Sequence, residues 1–64
     1  MTKETRDSLV YPCQWIHRDG EVRIVTLEGN KYRGEVIVRG SGAPCDSVGH
    51  VYKDLAHSVF EPLD

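Results

Sequence analysis

Two cysteine–histidine pairs are the residues of this 64-residue chain whose type and spacing could hold a metal. Cys13 stands four positions before His17, and Cys45 stands five positions before His50. Zinc in small domains takes four such ligands in a tetrahedron and contributes folding free energy. On a straight strand, however, the first cysteine and histidine lie roughly 13 Å apart. We therefore expect no resident metal and no other cofactor, with a zinc-stabilised module as an alternative.

The same cysteines raise two other kinds of chemistry. A disulfide between Cys13 and Cys45 would join a strand to a loop, but the polar start MTKETRDSLV lacks a secretory pattern, and a cytoplasmic location disfavours disulfides. A Cys–His nucleophile with His50 or His57 would need an orienting third group and oxyanion donors, and no such spacing is visible. So short a chain also has little room for a catalytic cleft. We expect free thiols and no enzymatic activity.

Basic and aliphatic residues that alternate along the middle of the chain indicate a binding surface. The basic members are Arg23, Lys31, Arg33 and Arg39. The aliphatic members are Ile16, Val25, Leu27 and Ile37. Basic side chains on a sheet can contact phosphates and guanine edges, although the net charge of −2 supplies no general attraction to nucleic acid. Grouped aliphatic side chains on one face favour a protein contact.

Two hairpins are the elements that would position these residues. Strand formers fill residues 9–17, and the dipeptide Asp19-Gly20 predicts a two-residue turn after them. That turn places Trp15 opposite Ile24. Around residues 28–30 we expect a three-residue loop, which places Ile24 opposite Gly34. A shift of one residue would mix charges into the apolar set, so the pattern itself selects this register.

The predicted pairing separates the strands into two faces. The core face carries Tyr11, Cys13, Trp15, His17, Val22, Ile24, Thr26, Tyr32, Val36 and Val38. The open face carries Gln14, Ile16, Arg23, Val25, Leu27, Lys31, Arg33, Glu35, Ile37 and Arg39. All the basic and aliphatic residues of the expected binding surface therefore lie on the open face.

The C-terminal third of the chain predicts the element that covers the core face. Its apolar residues recur at helical spacing over residues 47–60, and Pro62 follows as a stop signal. The alternative is two short strands, HVYKDL and HSVFEPL. The expected fold is an α+β domain over residues 9–64: a three-stranded antiparallel β-meander with a C-terminal α-helix packed on one face. Residues 1–8 are expected to form a flexible N-terminal tail.

One stretch resembles the first motif of the Sm-like proteins, namely Val22-x-Ile24-x-Thr26-x-x-Gly29-x-x-Tyr32-x-Gly34-x-Val36. The resemblance implies a small SH3-like β-barrel, assembly into rings and RNA binding. The family usually has a leucine where Thr26 stands and an RNA-binding aspartate in the region of Arg39, so no RNA-contact residue is assigned. Its usual helix before the first strand is not expected, since only a polar tail precedes Leu9.

Together these features predict a small, non-enzymatic binding or regulatory protein of the cytoplasm. Its open sheet face is expected to contact a protein partner or a second copy of the chain. Nucleic-acid binding, DNA or RNA, through the basic residues of the same face is the alternative. No apolar run is long enough for a membrane span, so no membrane contact is expected.

Overall fold

A computed structural model describes residues 1–42, 47–53 and 55–63 of the chain. Helix α1 is Lys3–Ser8, and a 3-10 turn occupies His57–Val59. The strands are β1 (Cys13–His17), β2 (Val22–Glu28), β3 (Lys31–Val38), β4 (Val51–Tyr52) and β5 (Phe60–Leu63). They form one antiparallel sheet of five strands in the order β4-β3-β2-β1-β5. No helix in the described ranges is long and apolar enough to cross a membrane.

The predicted three-stranded meander with a C-terminal helix is wrong. The segment expected to form that helix supplies β4, the 3-10 turn and the start of β5 instead, which corresponds to the alternative of two short strands. A three-stranded sheet would leave unpaired backbone groups along the outer edges of β1 and β3. The two short strands pair with those edges, and Gly49, with φ of +96°, lies outside the helical range.

The other alternative was a small SH3-like or Sm-like β-barrel, and the strand pairing gives a single sheet of five strands. Among the described residues, β4 pairs with β3 and β5 pairs with β1, which leaves β4 and β5 as the two edges of the sheet. A side chain spans the gap between them. The guanidinium of Arg23 lies 3.9 Å from the ring centre of Tyr52 and 4.7 Å from that of Phe60. The sheet therefore curves until both edges contact one side chain.

Helix α1 lies within the predicted N-terminal tail and contains no buried residue. Two tyrosines hold it against the sheet by hydrogen bonds. The Tyr11 hydroxyl donates to the carbonyl of Arg6 at 2.7 Å, and the Tyr32 hydroxyl donates to the carboxylate of Asp7 at 3.0 Å. The expectation that no helix precedes the first strand is wrong. Polar contacts position this helix, and it has no apolar face that the sequence pattern could reveal.

The first hairpin has a three-residue loop instead of the predicted two-residue turn. The N–H of His17 donates to the carbonyl of Glu21 at 2.8 Å, so residues 18–20 form the loop. Gly20 is its last residue and has φ of +94°, as in three-residue hairpin loops that end in a left-handed residue. As a result Trp15 lies opposite Arg23, not Ile24.

The second hairpin has a two-residue turn instead of the predicted three-residue loop. Glu28 pairs directly with Lys31, which leaves Gly29 and Asn30 as the turn. Gly29 has φ of +65°, and glycine at the first central position is one of the two favoured forms of a two-residue hairpin turn. Val25 consequently lies opposite Gly34.

Each shift of one residue moves side chains to the other face of the sheet. The buried apolar residues are Trp15, Val22, Val25, Val36 and Phe60. Val25, assigned to the open face, is fully buried, whereas Ile24, assigned to the core, is 38% exposed. The predicted core is therefore right for Trp15, Val22 and Val36 and wrong for Ile24 and Val25 of β2.

Candidate functional site: a groove across the outer sheet face

The structure divides the predicted partner-binding residues between the two faces of the sheet. On the core side, by strand alternation, lie Arg23, Val25 and Leu27. On the outer side lie Ile16, Lys31 and Arg33. The last two are Ile37, half-buried where the register shifts, and Arg39, exposed beyond the end of β3. Lys31 and Arg33 thus remain together on an open surface, and the eight residues do not form one patch.

Arg23 is engaged within the fold. Its Nε donates to Oε2 of Glu21 at 2.7 Å, and the two side chains are only 12% and 6% exposed. The aromatic rings of Tyr52 and Phe60 also lie against this guanidinium, so protein groups enclose it. Arg23 is therefore not available to bind a phosphate or a base edge.

The outer face of the sheet consists of alternate residues of the three long strands, namely Gln14, Ile16, Ile24, Thr26, Glu28, Lys31, Arg33 and Glu35. Gln14, Ile24 and Glu35 form one row across β1, β2 and β3. Ile24 at the centre of that row is 38% exposed, and the side chains of Gln14 and Glu35 beside it are exposed. An apolar side chain thus lies partly exposed at the middle of the face.

Three adjoining depressions cross this face, and we call them together the outer groove. The first is lined by Pro12, Cys13, Gln14 and Ile24. The second is lined by Ile24, Thr26, Arg33 and Glu35. The third is lined by Glu28, Lys31, Tyr32, Arg33 and Lys53. Ile24 belongs to the first two and Arg33 to the last two, so neighbouring depressions adjoin at a shared side chain.

The outer groove changes in character from one end to the other. Pro12 and Ile24 line the apolar end, while Lys31, Arg33 and Lys53 line a depression of about 390 Å³ at the cationic end. Glu28 lies 3.5 Å from Arg33, but both side chains are at least half exposed, so their attraction is weak. Within the described ranges, neither lysine takes part in an ion pair.

The groove's cysteine is suited to packing rather than to covalent chemistry. Burial raises the pKa of the Cys13 thiol above its ordinary value. The thiol is therefore protonated at neutral pH, and a protonated thiol is a poor nucleophile. The side chain of Cys13 packs against the core cluster that contains Trp15, and the residue also lines the first depression with Pro12 and Ile24.

Of the residues considered for zinc binding, the structure describes Cys13, His17 and His50, and these three do not form a metal cluster. Cys13 and His17 lie at opposite ends of β1, and Cys45 lies outside the described residues. The ring of His50 packs against Tyr52, with centroids 4.6 Å apart. In the part of the chain that the structure describes, no three histidine, cysteine, aspartate or glutamate side chains converge on a metal site.

Ile24 and Lys53 are among the groove residues that the sequence prediction placed elsewhere. The three-residue second loop assigned Ile24 to the core. A two-residue turn at Gly29-Asn30, which this dipeptide also allows, places it outside. Lys53 was assigned to the C-terminal helix. The strand reading of HVYKDL would have brought it beside β3.

No protein-family model, curated protein or solved structure matches the chain. The resemblance to Sm-like proteins therefore stays a prediction from one motif. The geometry of the outer groove is the basis for a functional proposal.

Proposed function

We propose that this protein is a non-enzymatic binding protein whose outer groove holds part of a protein partner. Ile24 is the observation that supports this function most directly. It is 38% exposed at the centre of the sheet and lines two adjoining depressions. Covering an apolar side chain contributes about 25 cal/mol for each Å² removed from water, so a partner that fills the groove gains free energy there.

The groups of the groove also favour binding over catalysis. The protonated thiol of Cys13 offers no ready nucleophile, and the cations of the groove are exposed side chains in water. Catalytic groups usually lie in enclosed sites that exclude water and perturb their pKa values. A shallow groove with one apolar and one cationic end is better suited to recognising a surface.

Nucleic-acid binding is the second candidate, and the cationic end of the groove is the observation that favours it. Lys31, Arg33 and Lys53 line one depression, and exposed cations of this kind contact phosphates. A second copy of the chain is the third possible occupant. Both alternatives give distinct products in the experiment below.

The test is site-specific photo-crosslinking in cells that express the protein naturally. The photo-reactive residue p-benzoylphenylalanine replaces Glu35 in the groove wall or, as a matched control, Glu61 on β5. Both are exposed glutamates on strands. We expect a discrete adduct with another protein from position 35 and none of that mass from position 61.

Surface variants make the same experiment specific for the groove. Ile24→Thr should remove the adduct from position 35, whereas Val59→Thr, at an equally exposed site (37% against 38%), should leave it. An adduct with nucleic acid would support the second candidate, and one of twice the chain's mass would support self-association. Equal labelling from positions 35 and 61 would contradict a functional groove.

A further inference from the structure

We infer that the outer groove binds an extended peptide segment with an apolar residue at one end and one or two acidic residues at the other. This inference rests on the proposed function and specifies the partner's chemistry. It is carried by the path of the groove, by its two unlike ends and by the position of its glutamates.

The path of the groove sets the length of the segment. It begins at Gln14 on β1, crosses Ile24 on β2 and Arg33 on β3, and ends at Lys53 just past β4. Neighbouring strands are about 4.8 Å apart, and the path also moves two residues along the strands, from the Ile24–Glu35 pair to the Thr26–Arg33 pair. The length of the path is therefore roughly 16 Å. An extended chain rises about 3.3 Å per residue. A segment of about four to five residues therefore spans the groove.

The direction of the groove determines how the peptide segment is recognised. Because it crosses β1, β2 and β3 rather than following an edge, the backbone of the segment cannot add to the sheet as a strand. Recognition then depends on the side chains that enter each depression. This favours a partner with a definite sequence pattern over any extended chain.

The apolar end of the groove selects one side chain of the segment. Ile24, Pro12, Cys13 and Gln14 line this depression. An aliphatic or aromatic side chain seated there covers Ile24 and leaves no polar group of its own without water. A charged side chain at the same position would lose hydration without a partner.

The cationic end selects a carboxylate about three or four residues further along the segment. Lys31 and Lys53 have no ion pair to a described residue, and Arg33 has only the exposed Glu28 at 3.5 Å. A carboxylate between the three cations forms charge-assisted hydrogen bonds. The groove as a whole holds these three cations against two glutamates, Glu28 and Glu35, so its charge is opposite in sign to the chain's net −2.

The same details disfavour a nucleic acid as the occupant. A continuous phosphate backbone laid along the groove would pass Glu35 in the middle and Glu28 at the end, whereas separate carboxylates can avoid both. Bases would also lack a free aromatic face. The Tyr32 ring is engaged by Arg6 at 4.7 Å and by Tyr11 at a centroid distance of 5.2 Å.

The experiment is selection of random peptides, displayed on phage, against the full chain. We expect the enriched sequences to share an apolar residue and, three or four positions away, an aspartate or glutamate. A synthetic peptide of the consensus sequence is then titrated by fluorescence anisotropy. Its affinity should fall as salt concentration rises, since exposed charges are screened.

Variants of the groove with matched controls test the assignment of each end. Ile24→Thr should raise the peptide's Kd about tenfold through lost apolar contact, and Val59→Thr should not change it. Lys53→Gln should raise Kd about two- to fivefold, as for an exposed ion pair. Arg18→Gln, a change of exposed charge on the first hairpin loop, should have no effect. Urea unfolding of every variant checks that the fold is retained.

Defined outcomes would overturn the inference. An apolar or basic consensus that still depends on Ile24 would overturn the acidic class and leave the proposed function intact. No enrichment, or equal losses in the groove and control variants, would overturn peptide recognition by this groove. Displacement of the peptide by a single-stranded oligonucleotide of higher affinity would assign the site to nucleic acid. Failure of the photo-crosslinking test at position 35 would remove the proposed function itself.

Discussion

The guanidinium of Arg23 lies 3.9 Å from the centre of the Tyr52 ring. Tyr52 belongs to β4 at one edge of the sheet, and Phe60, which the same guanidinium contacts, begins β5 at the other edge. The counter-charge is Glu21, whose side chain is 6% exposed. One paired cation therefore connects the two ends of the strand order from inside the fold.

Replacing Arg23 by methionine should strongly destabilise the protein. The change leaves the buried Glu21 carboxylate without its partner, which costs about 3–5 kcal/mol in comparable pairs. Removing both charges in Glu21→Gln/Arg23→Met should restore a large part of that loss. Urea unfolding followed by Trp15 fluorescence measures both. Equal free energies of unfolding for the single and double variants would show that the ion pair does not stabilise the contact between the two edges of the sheet.

The existence of two hairpins could be predicted from the sequence, but their registers could not. Asp19-Gly20 and Gly29-Asn30 both mark turns, yet each is compatible with loops of two or three residues. Loop length depends on which residue takes the positive φ. A difference of one residue in loop length moves the side chains of a strand to the opposite face of the sheet. Alternation along β2 did not decide the matter, because Ile24 and Val25 are both apolar.

The elements at the two ends of the chain were missed for a different reason. Helix α1 has no apolar face, so its pattern gives no signal, and tyrosine hydroxyls from outside the helix fix it. Pro12 favours an edge strand because proline lacks a backbone N–H, but it precedes β1, which lies between β2 and β5. The pairing of β5 with β1 joins residues far apart in sequence, which local periodicity does not encode.

Part of the candidate site could be predicted. Lys31 and Arg33 were placed on an open face because they alternate along one strand, and β3 keeps them there. The apolar centre at Ile24 required the correct register. Lys53 required the pairing of β4 with β3, a contact that the helical spacing of the C-terminal segment concealed.

The stability of the fold should fall at acid pH partly through Asp19. The backbone N–H of Glu21 donates to its carboxylate at 2.9 Å, and His17 Nδ1 lies 3.1 Å away; these contacts hold the pKa of Asp19 below its ordinary value. An unfolded aspartate has a pKa of about 3.9. The unfolded state therefore takes up the proton first, so this contribution is present above about pH 4 and is lost as pH falls through the folded pKa.

The measurement is the urea midpoint of the wild type and of Asp19→Asn between neutral and strongly acid pH. The variant should be less stable near neutrality and should show a smaller acid-induced decrease. Asp7 also has a lowered pKa, through Arg6 and the Tyr32 hydroxyl, so some acid dependence should persist. If the urea midpoints of the two proteins change in parallel with pH, Asp19 is not a source of the acid dependence.

Gly40→Ala should destabilise the protein by steric contact. A β-carbon at this position would lie 2.5 Å from Oδ1 of Asp19, and that oxygen already accepts the N–H of Glu21. Overpacking of this kind costs about 1–3 kcal/mol. In an Asp19→Ala background the same change should cost much less, because the obstructing carboxylate is gone. An undiminished cost in that background would point to backbone conformation as the cause.

The hydroxyl of Tyr11 should make the fold sensitive to alkaline pH. It donates to the carbonyl of Arg6 at 2.7 Å, and burial raises its pKa well above the ordinary tyrosine value. The unfolded state, with a tyrosine pKa of about 10, loses its proton first. Stability is therefore retained below about pH 10 and decreases as pH rises towards the folded pKa.

An alkaline titration of phenolate absorbance tests this relationship. The chain has three tyrosines. We expect Tyr11 to ionise in a late phase of the titration that coincides with unfolding. Tyr11→Phe should remove that late phase and cost about 1 kcal/mol at neutral pH through the lost hydrogen bond. Tyr32→Phe, which removes the more exposed bond to Asp7, should leave the late phase in place. A late phase that survives Tyr11→Phe would have to come from another residue, and α1 would then be held without the Tyr11 hydroxyl.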